Sequence, residues 1–283
     1  MLEFRRAIGD KAGVGDTLNN IGSVYTDLGQ YQQALSYYQQ ALSIAEELGQ
    51  PAQKARTLSN IGNIHSSLGN YDEALKFLQQ ALKIRQEIRE RDGEMVTLNN
   101  IGYVHQSQGR YAQALELFGQ ARAIAQKIGA RNNEATSVGN IGIVYRNQGN
   151  YSQAMSYQQQ ALEIRSQIGD RAGQVTSLIN IGVIHFDQER YPEALKFYQQ
   201  ALTLAKELGT RQKEATALNN IGTVYSQQSN FSESMKYFEQ ALAINREIGD
   251  RSSEATTLRN IAIDYGYQGE YANSDLAPIR RNP

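Results

Sequence analysis

Apolar residues recur along the chain at helical spacing. Leu18, Ile21, Tyr25 and Leu28 fall at i, i+3, i+7 and i+10, and Leu58, Ile61, His65 and Leu68 repeat the pattern, which predicts an amphipathic helix in each place. A second pattern follows the first. After Gly69-Asn70, the stretch YDEALKFLQQALKIRQEI sets Ala74, Phe77, Leu78, Ala81, Leu82, Ile84 and Ile88 on one side of a longer helix, with Glu73, Gln79, Gln80 and Glu87 largely outside it. Gly29, Gly49 and their equivalents stand where a left-handed residue closes a helix.

The helix pair recurs at one fixed distance. Asn20, Asn60, Asn100, Asn140, Asn180, Asn220 and Asn260 lie 40 residues apart, and each precedes an isoleucine, from Ile21 to Ile261. Gly22, Gly62, Gly102, Gly142, Gly182 and Gly222 come next, then Ala262, and an aromatic series runs from Tyr31 to Tyr271 with Phe231 as its one departure from tyrosine. The repeat accounts for 17 of the 24 glycines, so glycine here is mostly punctuation. The glycine inside the first helix costs about 1 kcal/mol relative to alanine. Its replacement by Ala262 points to smallness as the requirement, which fits two helices in close approach. Neither helix buries its stripe alone, so copies must stack. The expected fold is all-α: an α-solenoid of seven tandem 40-residue helix-turn-helix repeats, one domain over residues 1–283 without a linker.

Composition narrows the function. With 40% hydrophobic and 20% charged residues the chain can bury a core, and Lys plus Arg (28) nearly cancels Asp plus Glu (29). That balance removes the positive field that sequence-independent binding to nucleic acid or an anionic membrane requires. The absence of cysteine excludes disulfides, cysteine-ligated zinc, iron–sulfur clusters and thiol nucleophiles. The opening MLEFRRAIGDKAGVGD lacks an apolar run with a cleavage site, and no stretch approaches the roughly 18 apolar residues of a membrane span. A cytoplasmic protein without nucleic-acid or membrane partners is expected.

Candidate chemistry is thin. The three histidines, His65, His105 and His185, occupy the position held elsewhere by Tyr25, Tyr145, Tyr225 and Tyr265. Tyrosine cannot replace a metal ligand or general base without changing the chemistry, so these read as packing residues. No phosphate loop, HExxH pair or GxSxG elbow is present. Asn150-Tyr151-Ser152 and Asn230-Phe231-Ser232 are formal glycosylation sequons that read as turn asparagines, and Glu46, Glu47, Glu87 and Glu163 read as solvated helix surface. The expectation is a non-enzyme without cofactor or metal.

The repeat resembles the tetratricopeptide repeat, whose pattern is met by Ile21-Gly22-x2-Tyr25, Ala34-x3-Tyr38 and Ala41. The period of 40 exceeds the family's usual 34, and the family's tryptophan and late proline are missing. The longer unit is similar to the subclass found in kinesin light chain, Pins-type adaptors and bacterial multirepeat proteins. A HEAT-like solenoid also fits the period but lacks the small-residue pattern. The resemblance implies a superhelix whose first helices line a concave groove for an extended or helical peptide.

On the first helix, positions 16, 20, 23 and 27 form a stripe displaced from the core stripe, with 19 and 26 beside it. It carries the seven asparagines, whose amides match a peptide bond in donors and acceptors. The resemblance implies an amide ladder gripping peptide backbone; the alternative is that each asparagine bonds a neighbouring helix. Specificity is expected from Tyr103, Ile143, Ile179, Val183 and Phe186, with Arg146 and Asn147 beside them, while the first two copies are polar, with Asp16, Ser23, Asp27, Arg56, Ser59, Asn63 and Ser67. An apolar patch there reads as a docking site, or as contacts between adjacent first helices. Arg56, Arg146 and Arg259 are too scattered to clamp a free carboxylate.

Both ends look uncapped. Residues 1–10 align with the end of a second helix, leaving Leu2, Phe4 and Ile8 without an N-terminal neighbour, and 271–283 read as a truncated final second helix stopped at Pro278. A fragment of a longer array, or self-association through the ends, is expected. The leading expectation for function is a protein-interaction scaffold binding a peptide segment in the groove. The alternative is a sensor or regulatory arm of a larger signalling ATPase or caspase-like protease.

Overall fold

The computed structural model describes residues 2–274, and every regular element among them is helical. The first unit, through Ile168, contains α1 (Leu2–Ala7), α2 (Lys11–Asp27), α3 (Tyr31–Glu47), α4 (Pro51–Ser67), α5 (Tyr71–Glu87), α6 (Arg91–Ser107), α7 (Tyr111–Ile128), α8 (Arg131–Asn147) and α9 (Tyr151–Gln167). The second, from Gly169, contains α10 (Arg171–Asp187), α11 (Tyr191–Glu207), α12 (Arg211–Gln227), α13 (Phe231–Ile248) and α14 (Arg251–Ser274). Even-numbered elements are the first helices of the repeat, and odd-numbered elements from α3 onward the second.

Local sequence explains where helices start and stop. Asn150 and Asn230, the two sequon asparagines, are N-caps whose side chains accept from the backbone N–H of Gln153 at 3.2 Å and Glu233 at 3.3 Å. Helices end on a left-handed residue such as Gly49, at φ 59°, after which Gln50 N donates back to Ala45 O at 2.8 Å. Arg89, Glu189 and Ser229 adopt the same conformation at equivalent positions without being glycine.

Within each unit the tightest packing is between the first and second helix of one repeat. Successive first helices also touch, α2 with α4, α4 with α6 and α6 with α8 in the first unit, and α10 with α12 and α12 with α14 in the second. No second helix approaches the next at backbone distance among the described residues. Each unit therefore curves with its first helices on the inner side.

The repeated glycine makes the hairpin possible. A Cβ on Gly102 would lie 2.7 Å from the ring of Phe118, and one on Gly182 would lie 2.5 Å from Tyr198. Gly22, Gly62, Gly142 and Gly222 face Tyr38, Leu78, Gln158 and Phe238 in the same way. Ala262 is exposed, and its counterpart position, 278, lies outside the described residues.

Core positions follow the predicted stripes with corrections at helix ends. Leu18, Leu58, Ile61, Ala74, Leu78 and Ala81 are buried, but Leu28 is 51% exposed, Leu68 41% and Ile88 37%. Each of the three is a C-cap residue, so the stripe has turned outward where its helix stops. Leu2 packs beside Val14, Leu18 and Ala41, whereas Phe4 and Ile8 are exposed. α14 runs on through Gly269, where the pattern predicts a turn, as far as Ser274. The remainder of the expected final helix, 275–283, lies outside the described residues.

Candidate binding face on the first helices

In the first unit Asn20 is exposed, while Asn60, Asn100 and Asn140 are half-buried on the inner face. Among the described residues the amides of Asn20, Asn60 and Asn100 take no hydrogen bond from the protein. Asn140 Nδ2 donates to Asn99 Oδ1 at 3.5 Å. In the second unit Asn180, Asn220 and Asn260 are half-buried, and Asn260 Nδ2 donates to Asn219 Oδ1 at 3.2 Å. Neither contact involves main chain.

The neighbouring position does the structural work, which sequence reading did not separate from its neighbour. Buried Asn19 donates to Thr57 Oγ1 at 2.8 Å and accepts from it at 3.1 Å, and Asn99 donates to Ser137 Oγ at 3.1 Å. These bonds tie a first helix to the next. A signal was present in these two copies, where an asparagine is followed 38 residues later by a hydroxyl, Thr57 or Ser137, whereas Ile179 is followed by Ala217.

The apolar candidates divide. In the first unit Tyr103 is 58% exposed and Ile143 half-buried, and Arg146 is half-buried nearby in sequence. In the second, Ile179, Val183 and Phe186 are half-buried and pack against the cluster holding Val175, Tyr198, Ala217 and Leu218, with Phe186 also tilted against Tyr191 at 5.7 Å. Much of the apolar surface of these three is thus used within the fold. Polar residues of the stripe pair across copies, with Arg56 Nη2 at 2.5 Å from Asp16 Oδ1.

Two of the three histidines stack as the tyrosines do. His65 lies on Phe77 at 5.5 Å and His185 on Phe197 at 5.3 Å, matching Tyr25 on Tyr37 at 5.2 Å and Tyr145 on Tyr157 at 5.4 Å. Burial, with Arg110, lowers the pKa of His105; burial lowers that of His185, with Glu193 opposing and Arg190 adding to the shift. Among the described residues no three His, Asp or Glu side chains converge as a metal set, and no helix is long and apolar enough to cross a membrane.

Paired helices and a small residue at the crossing recur along the chain, and aromatic stacking at a fixed register accompanies them in every described copy but the third, where Leu117 faces His105. The family model for the tetratricopeptide repeat matches residues 13–87, 93–167, 173–247 and 213–274. The chain belongs to the tetratricopeptide repeat family. Among solved tetratricopeptide-like structures, a Rap protein complexed with competence and sporulation factor aligns over 92% of this chain and 76% of its own, at 14% identity and TM-score 0.66. A signal transduction ATPase with a tetratricopeptide repeat sensor from Pyrococcus horikoshii aligns over 98% of this chain and 47% of its own, at 16% identity and TM-score 0.65. A putative kinesin light chain from Podosopora anserina aligns over 70% and 96%, at 16% identity and TM-score 0.53. No curated protein matches the sequence. At these identities the tetratricopeptide likeness is one of fold.

Proposed function

We propose that the seven copies act as a protein-interaction scaffold whose first helices hold a peptide segment of a partner. The observation that carries this reading is the set of amides at Asn20, Asn60 and Asn100, which recur on the inner face without an internal hydrogen bond. A side-chain amide with free donors and acceptor is suited to peptide backbone in any sequence. Tyr103, exposed on the same face, supplies an apolar anchor of the kind that dominates binding energy. That a Rap protein of similar fold was solved with a bound factor supports the same use here. The alignment over part of a sensor-bearing ATPase favours a second reading, a sensing arm within a larger assembly.

Peptides selected from a random display library against the intact chain provide the test. Asn20, Asn60 and Asn100 changed together to alanine should weaken the selected peptides at least tenfold without lowering the melting temperature, since no internal bond is lost and alanine is the better helix former. Undiminished binding by the triple variant would remove the proposed grip.

A further inference from the structure

The second helix of the third copy departs from the repeat at positions 117, 119 and 122, and the last two face one cleft. Position 119 is glycine where the other copies carry Gln39, Gln79, Gln159, Gln199 and Glu239, and position 122 is arginine where they carry Leu42, Leu82, Leu162, Leu202 and Leu242. Three of these leucines pack in the fold: Leu42 against the cluster of Ile61, Leu82 against that of Ile101, and Leu202 is buried. Arg122 lines a cleft of about 380 Å³, within the size range of small-ligand sites. It is lined by α7, by Ile141 and Tyr145 of α8, and by Tyr157 of α9.

The lining has a defined chemistry. Gly119 leaves open space where a Cβ would stand, and Tyr145 and Tyr157 form a stacked wall with Ile141 beside them. Gln126, at the rim, is held by its amide nitrogen donating to Glu134 Oε1 at 2.7 Å. Arg122 is the one charged side chain in the lining; it has no ion pair among the described residues, and its Nε is buried without a hydrogen-bond partner. A guanidinium presents parallel N–H donors that fit a carboxylate, and desolvation beside aromatic rings strengthens that contact. A single cation neutralises a monoanion and leaves a diphosphate largely uncompensated.

We propose that this cleft is a binding site for a small aryl carboxylate, with Arg122 holding the carboxylate and the Tyr145–Tyr157 wall covering the ring. It is independent of the peptide-binding reading above. The probes are benzoate, phenylacetate and indole-3-acetate, titrated into the full chain by calorimetry or amide-shift mapping, with phenylacetamide as the neutral control.

At least one carboxylate should bind saturably, and at least tenfold more tightly than phenylacetamide. Arg122→Leu and Gly119→Gln should each reduce that affinity at least tenfold. Both variants install residues that other copies already carry at the same position, so folding should persist. No saturable binding across the panel, equal binding of the neutral amide, or unchanged affinity in Arg122→Leu would each overturn the assignment.

Discussion

Gly102 sits where one methyl group decides whether two helices can pair. Alanine there would gain about 1 kcal/mol of helix propensity, but its Cβ would fall 2.7 Å from the fully buried ring of Phe118. Overpacking of a filled core costs roughly 1–3 kcal/mol, so the clash wins. Gly102→Ala should lower stability by up to about 2 kcal/mol in chemical denaturation, the clash less the propensity gained; an increase would show that the pair relaxes freely. The need for smallness at this position was legible because six glycines and one alanine share it. The division of labour between Asn19 and Asn20 was carried only by the partners 38 residues on, Thr57 and Ser137, and no single copy reveals it. Neighbouring residues on a helix point about 100° apart, and in the structure Asn19 turns into the seam while Asn20 stays exposed.

At the scale of elements, the joint between one repeat and the next takes one of two forms at every position but the last, where Asn245 stands with Ser253. Arg85 is buried against Gly93, whose Cβ would stand 2.3 Å from Nη1, and Glu90 lies 3.9 Å from Arg85 Nε. Arg5, Asp10 and Gly13 repeat this arrangement, whereas Ala45 is followed by Gln53 and Ala125 by Asn133. Large meets small in each form, so the two partners should be coupled. Gly93→Gln alone should cost about 1–3 kcal/mol, and Arg85→Ala in the same chain should restore most of it. Additive single-variant effects in a double-mutant cycle would refute that coupling.

A second exchange marks the last joint described in the second unit. Asp264, fully buried, accepts hydrogen bonds from Ser226 and Ser234. Other copies place Val or Ile at its position and alanine at that of Ser234. Ser234→Ala removes one donor from a buried carboxylate and should cost about 2–3 kcal/mol. Ser234→Ala with Asp264→Val, which rebuilds the ordinary pair, should unfold at least as late as the unmodified chain, because packed apolar groups often match a buried polar set. A double variant less stable than Ser234→Ala alone would show that the polar set is itself stabilising. Averaging over copies is what hides such exchanges: the period reveals the helices and their stripes, while Arg122, Gly119, Ser234 and Asp264 are departures from it.

For the chain as a whole, the amount of fold visible in the sequence reflects its quasi-one-dimensional build. Each helix contacts only near neighbours, so local spacing determines most of the packing. What local spacing cannot reach is the solvation of titrating groups, and this sets the response to acid. His105 and His185 have pKa values lowered by burial, so both stay neutral in the folded chain over a range where the unfolded chain, near pH 6.5, takes up protons. Their contribution is therefore complete above about pH 6.5 and is lost as the pH falls from there to the lowered folded values. Asp250 acts lower in the scale: burial alone would raise it, but bonds from the Ser253 backbone and hydroxyl and from Gln212 outweigh that and hold it down. Glu254, paired with Arg246 and Arg251, is lowered too, so both carboxylates lose their contribution as the pH drops through the carboxylate range. The melting temperature should thus decline in two stages on acidification. Changing His105 and His185 together to tyrosine, the residue other copies use, should flatten the upper stage and leave the lower one in place. An unchanged upper stage in that variant would assign it to other groups.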